Sequence, residues 1–474
     1  MQDSEKKTHD TIELESEAVQ PESRRARRER MAEQAAQSAE AEISELSEDE
    51  LILGDEEEIP LRKKKRPVKA KKGKKKKGKK KRSKAPTLFS EKKFRRKKSI
   101  FEIMSNAGEE SFIKPIHIFG REIRFWPLFI LAAIIILVAV IVMSNGNVGA
   151  VKEQITVVGL PDDLEDYQIL VVSDLNGKRF GEEQSVLIRA VENQGYDLIL
   201  CMGDMVGEDG DPEPFYEFLE GLDDPECVYF VCGDADPGPY LSAPRQIQGT
   251  LEQLVYEDWI LGAIERGANY VAAPISIDVG ESRIWLTPSS CLNLNSVTNM
   301  EEWKEQMRQE EDGVLSGLAS DYNSLPFTSH RYALAQQYYN ATNAIKSTDL
   351  IIGLSHIVPD DSYIISTGAH DGDAGFISEP ELIVSGHYCG GVWQLPIAGA
   401  VYVPNTMLPR NGWFPAQEDV SGLSKVGDAQ VYISGGLNTT SAIPVLPFRV
   451  FNEPEINVLT LTAKLPENML EAGK

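Results

Sequence analysis

Apolar residues in this chain come mostly in short runs that stop abruptly at Gly, Asp or His. Gln168 to Ser173 (QILVVS) is one such run. DLILCM, ending at Gly203, and CVYFVC, ending at Gly233, are two more. RIWLTP, DLIIGLS, ELIVSG, AQVYISG and EINVLTLTA follow further along. Continuous apolar runs bounded by Gly and Asp predict strands covered on both faces. Residues 182–194 carry helical spacing instead, and strands alternating with helical stretches predict an α/β fold.

One apolar run is of another kind. Trp126 to Met143 holds 18 residues without a charge. A helix needs about 20 apolar residues to cross a bilayer's hydrocarbon. Phe125 and Trp126 stand where aromatic side chains favour the interface, and Pro127 suits a first helical turn. The run is too long and too far from Met1 for a cleaved signal peptide. Arg121 and Arg124 flank its start, whereas Lys152 is the first basic residue after it. The positive-inside rule therefore predicts a single-pass membrane protein of the cell envelope, with residues 1–125 cytoplasmic and the C-terminal domain extracytoplasmic.

Charge divides the rest. The net charge of −24 conceals a basic block: residues 61–98 carry 23 Lys and Arg against one acidic residue, while residues 151–474 carry 16 against 49. Residues 1–60 are acidic and poor in aromatics, a composition that predicts disorder. The expected organisation is an acidic cytoplasmic segment (1–60), a polybasic and juxtamembrane segment (61–125), the transmembrane helix (126–143), a linker (144–152), one large domain (153–464) and a tail (465–474). The polybasic stretch suits anionic lipid, where each Lys or Arg contributes on the order of 1 kcal/mol. It also serves as a topology signal, or pairs with the acidic segment before it. No aromatic residue interleaves with the Lys runs, which disfavours nucleic acid as a partner.

The strand ends carry the candidate chemistry. Asp174 follows the first strand, Asp204 the second, and Asp234 and Asp236 the third. His356 and His387, two of only six His, follow later strands. Ligands of α/β folds bind beyond the carboxyl ends of strands. A single Asp there is most often an Asx-turn or helix cap. A series of five strands ending this way points to one shared site, whose carboxylate and imidazole donors suit Mn, Fe or Zn. Cys227 and Cys232 lie five residues apart along a strand, on opposite faces, so they do not bridge. Cys201 and Cys291 read as core thiols. His330 and His370 read as structural, and Asp371 with Asp373 as a turn. Trp393, Trp413 and Phe414 either line the site mouth or pack in a core.

In order, SDLN, GDMVG, GDAD, SH and SGHYCGG resemble the motifs of the calcineurin-like metallophosphoesterases, and most resemble their membrane-anchored bacterial branch. The resemblance runs over about residues 153–464 and includes ISGGLN and PFRVFNEPEINVLTL near the end. It implies a two-sheet sandwich flanked by helices, with one or two divalent metal ions (Mn, Fe or Zn) and a phosphoester substrate. Asp204, Asp234, His356 and His387 match one metal's ligands. Asp174, Asn176, Asp204 and Cys389 match the other's, with Asn and Cys replacing two His. Ala235 stands where the family has a His that assists catalysis. The resemblance thus implies one retained and one weakened metal position, with altered or reduced hydrolysis. A non-catalytic homologue serving as an envelope receptor or scaffold is the alternative, and a function residing in the cytoplasmic arm is a third.

Overall fold

The computed structural model describes residues 116–118, 121–123, 126–246, 253–315, 324–391, 393–395, 397–403, 410–439 and 449–464. The acidic and polybasic segments and the tail 465–474 lie outside these residues. The chain divides into two compact units, residues 42–136 and residues 1–41 with 137–474. In the first, β1 (Ile116–Ile118) and β2 (Arg121–Ile123) form an antiparallel hairpin. Helix α1 (Trp126–Ser144) runs across the boundary, 19 residues with no charged side chain. Over the described residues, no helix is long and apolar enough to cross a membrane.

The second unit is built on two six-stranded sheets. One runs β3 (Gly149–Thr156), β20 (Glu455–Thr462), β4 (Gln168–Val172), β5 (Leu198–Met202), β6 (Val228–Val231) and β9 (Asn269–Tyr270). The other runs β10 (Ile275–Val279), β11 (Ser282–Pro288), β12 (Leu350–Leu354), β13 (Leu382–Ser385), β19 (Ala429–Ile433) and β18 (Gly422–Val426). β4, β5, β6 and β9 are parallel neighbours, as are β11, β12, β13 and β19. Parallel strands leave all their carboxyl ends along one edge, and the site is built there.

The alternation of strand side chains explains the layers. In β4, Ile169 and Val171 face the second sheet's Ile284, Ile352 and Val384 in one buried cluster. Leu170 and Val172 point the other way, against α2 (Ser185–Glu192), α3 (Glu213–Glu220) and α4 (Asp258–Glu265) through Leu187, Phe218 and Ile260. The second sheet's outer face is covered likewise. Trp285 and Ile351 pack on Tyr338 and Ala341 of α6 (Leu325–Ala344), itself paired with α5 (Ser296–Leu315). Ile383 and Val431 pack on Ile364 of α7 (Asp361–Thr367). Burial on both faces is why these strands read as unbroken apolar runs. Four short ribbon pairs complete the description: β7 (Tyr240–Gln246) with β8 (Gln253–Tyr256), β14 (Gln394–Leu395) with β15 (Gly399–Ala400), β16 (Tyr402–Val403) with β17 (Gly412–Trp413), and the hairpin above.

Two expectations need correction. The linker expected at 144–152 is strand from Gly149, because β3 pairs in parallel with β20 along its whole length, Gly149 against Glu455 through Thr156 against Thr462. That pairing satisfies backbone groups a linker would leave to water. The helix expected over 182–194 is shorter. A turn at Glu182–Gln184 precedes it, with Glu183 and Gln184 at φ of 50° and 57°. The buried Gln184 amide accepts from Phe180 N and donates to Lys178 O and Pro214 O, so tertiary bonds override the helical pattern. All five cysteines are free. His330 packs edge-on against Tyr240 and Tyr256, and His370 stacks on Phe376.

Candidate metal centre

Strands from both sheets deliver the site. Asp204 follows β5, Asp234 follows β6, His356 follows β12 and His387 follows β13. One ligand atom from each of these four residues lies within 4.8 Å of the others. His356 Nε2 is 3.2 Å from Asp204 Oδ2 and 3.0 Å from Asp234 Oδ1. His387 Nδ1 is 2.9 Å from Asp234 Oδ1 and 3.3 Å from His356 Nε2. Two carboxylate oxygens and two ring nitrogens thus surround one point. Such a set is stable only with shared positive charge, as protons or as a cation.

The surroundings orient these donors. His356 Nδ1 is 2.6 Å from Met202 O, so it carries the proton and leaves Nε2 free to bind. This is the outer contact metal-binding His residues usually make. Ala235 N donates to Asp204 Oδ1 at 2.8 Å, which leaves Oδ2 for the site. Gly203 holds φ of +84°, and a Cβ there would come 2.6 Å from His356 Nδ1. A Cβ on Gly233 would overlap the Asp204 carboxylate. Neither loop can carry a side chain at these positions without expelling a donor.

Electrostatics follow from burial and pairing. Burial opposes ionisation of Asp234, but its contacts with His356 and His387 outweigh this and hold it well below the usual carboxylate range. Burial likewise disfavours charge on His356, yet Asp204 and Asp234 raise it well above the ordinary His value. The carboxylates and His356 thus each favour the charged form of the other. The Nε2 of His387 and the Nδ2 of Asn176 are buried with no hydrogen-bond partner. The donor set fits one divalent cation of the Mn, Fe or Zn type.

The other expected ligands stand beside this set without joining it. Asp174 is fully buried, and its carboxylate accepts from His387 N at 3.2 Å. Burial, with Asp204 nearby, pushes its pKa up. The Cys389 thiol is fully buried and is driven well up by burial and by Asp174. Asn176 N donates to Asp204 O at 2.7 Å, tying its loop to the next. Asp236, grouped with Asp234 at the sequence level, turns away from the site. It accepts from Val206 N, Gly207 N and Gly233 N at 2.8–2.9 Å and braces two loops. Asp174, Asn176, Asp204, His387 and Cys389 all hold left-handed φ, between 48° and 77°. Non-glycine residues rarely adopt that region, and they collect at functional sites.

One residue that the sequence reading passed over organises the floor. Arg449 is wholly buried. Its guanidinium donates to the carbonyls of Gly435, Gly436, Asn438 and Asn452 and to Asn452 Oδ1. Asn452 Nδ2 in turn donates to Cys389 O, and Asn438 N to Asp174 O. The available signal was a lone basic residue inside the PFRVFNEP stretch of an acidic domain.

No protein-family model matches the chain, and no curated protein matches it. Among solved structures, it is similar to the phosphopantetheinyl hydrolase PptH of Mycobacterium tuberculosis. The TM-score is 0.27 at 8% identity, covering 58% of this chain and 91% of that one. It is also similar to a putative 5′-nucleotidase of Staphylococcus aureus (TM-score 0.28, 11% identity, 65% of this chain and 58% of that one). A third is the Thermus thermophilus sulfate thiohydrolase SoxB (TM-score 0.27, 11% identity, 66% and 60%). The chain thus covers less than two thirds of the last two. At TM-scores below 0.5, these likenesses do not define a shared fold.

Proposed function

We propose that the protein is a membrane-anchored, metal-dependent hydrolase of phosphoesters, acting outside the cytoplasm with reduced or altered activity. One observation carries this reading: Asp204, Asp234, His356 and His387 bring their ligand atoms within 4.8 Å at strand ends of two sheets. The order of the sequence motifs supports the phosphoester class. A divalent cation bound there supplies Lewis-acid polarisation of a phosphoryl oxygen and a more acidic water. Asp204 and Asp234 contribute the anionic oxygens. His356 is held in one tautomer by Met202, and His387 presents Nδ1. The side chain of Asp234 is 53% exposed, so substrate reaches the set from that side.

Activity is reduced because Ala235 has no group to protonate a leaving oxygen, help that contributes roughly 10²–10⁴-fold where present. Anchoring through α1 is supported by Arg121 and Arg124 close before it against no basic residue after it until Lys152, and the polybasic arm lies on anionic lipid at the cytoplasmic face. Full-length protein in detergent should bind Mn, Fe or Zn and hydrolyse a generic phosphodiester, and Asp204→Asn should sharply lower the metal content and abolish turnover. Bound metal without turnover for any metal would leave the receptor or scaffold reading, which Ala235 and Asn176 favour. Absence of metal binding would end both.

A further inference from the structure

Among the described residues after the last His, five large apolar side chains stand exposed. Leu395, Ile397, Trp413, Phe414 and Phe451 are 45% exposed or more, and Ile397 is completely exposed. Ring contacts join Trp413 to Tyr402 and to Phe414, and contiguous exposed apolar surface of this kind marks interaction sites. The five residues belong to one hydrogen-bonded assembly. Trp393 bridges to Val450, Gln394 N donates to Val450 O, Val401 N to Trp393 O, and Phe414 N to Val401 O. Ile397, Phe414 and Phe451 hold φ of 79°, 51° and 51°. For a β-branched residue such as Ile397, that backbone is a genuine outlier. Three of the five exposed side chains thus stand on left-handed backbone.

The same assembly is clamped to the end of helix α1. Asn145 Nδ2 donates to Arg449 O at 2.8 Å, and Arg449 N donates back to Asn145 Oδ1 at 2.9 Å. Lys178 Nζ donates to Asn145 O at 2.9 Å, fixing that residue from another side. Val450 and Phe451 follow Arg449 directly. The apolar helix therefore leaves the domain at the residues from which the rim springs.

We propose that this rim rests in the interfacial layer of the lipid bilayer, as a second membrane contact beside the anchor helix. Trp and Phe favour that layer, and binding there scales with buried apolar area. Only Arg410 is charged among residues 393–395, 397–403 and 410–414, which suits the headgroup boundary better than bulk water. Arg449 ties the rim to the loops of Asp174 and Cys389, so the metal set is held at one height above the membrane. The substrate class this favours is a phosphoester carried on a lipid. The inference rests on the anchoring reading above.

The test uses the full-length chain in phosphatidylcholine–phosphatidylglycerol vesicles with bromine on the acyl chains near the headgroups. Of the six Trp, Trp126 opens the anchor helix and Trp413 lies on the rim. Both Trp126→Phe and Trp413→Phe should remove a bromine-quenched component of the fluorescence. Ile397→Asp removes no packing and should cut the Trp413 quenching roughly twofold or more. If the Trp126 component is quenched and the Trp413 component is not, the rim proposal falls while anchoring stands. If neither is quenched, anchoring fails and takes the rim with it. Trp413 quenching that is indifferent to Ile397→Asp also overturns the proposal.

Discussion

The two groups of candidate ligands share loops and differ in access. Asp204, Asp234, His356 and His387 converge on one point, and Asp234 opens it to solvent. Asp174 and Cys389 are sealed, with no exposed surface. Behind them, the Arg449 cation is bonded only to carbonyls and an amide. A buried thiol whose ionisation is opposed by burial and by Asp174 is a poor ligand, because metal binding requires thiolate. The difference teaches that neighbouring strand-end loops can place donors of the same kind to opposite effect: one set meets at a point open to solvent, and the other is part of the core.

The strongest way to break this comparison is to remove the buried cation. Arg449→Met should leave several buried carbonyls unpaired and destabilise the protein by on the order of 3 kcal/mol, read by denaturant unfolding. A near-neutral result would mean the sealed half is not held by Arg449. Next, Asp204→Asn should lower metal content sharply in elemental analysis. Losing even an outer partner of a ligand costs roughly 10–100-fold in affinity, so a direct donor should cost at least that. The wild type should hold one equivalent. Cys389→Ala should leave that stoichiometry unchanged and cost about 1 kcal/mol of stability from lost packing. Two equivalents falling to one in Cys389→Ala would overturn the sealed-half reading.

The smallest effect is a pH dependence. Burial, and then the Arg449 charge, bring the Lys178 pKa down to about 8, against an ordinary value of 10.5. Between these values the unfolded chain binds the extra proton, so this group's contribution to stability rises with pH. The difference in thermal midpoint between wild type and Lys178→Met should therefore shift in favour of wild type from pH 7 to pH 10. A flat difference would show that Lys178 is not desolvated beside Asn145.

Much of this was legible in the sequence, for a physical reason. Strands buried on both faces must be apolar throughout, so QILVV, LILCM and LIIGL announced themselves, and their carboxyl ends located the loops. Spacing could not separate Asp234 from Asp236, since the choice between ligand and loop brace depends on which backbone N–H groups the fold brings near. Gln184 hid a tertiary bond inside a helical pattern. Trp413 and Phe414 were open between site mouth and core, and their exposure excludes the core. Arg449 stood out only as a lone basic residue, and its organising role was hidden because four of its five bonds go to backbone oxygens, which no side-chain pattern records.

The left-handed backbone at the strand ends has a consequence for how such a site can evolve. Asn, Asp and His tolerate that conformation better than most residues. The loop at Asn176 therefore already accepts the very side chains that differ in cation affinity. Exchanging Asn for Asp or His there alters coordination chemistry while leaving conformational demand nearly constant. Lineages can thus gain or shed a cation by single substitutions that the folding machinery barely notices, with the backbone setting a short alphabet in which chemistry is free to drift.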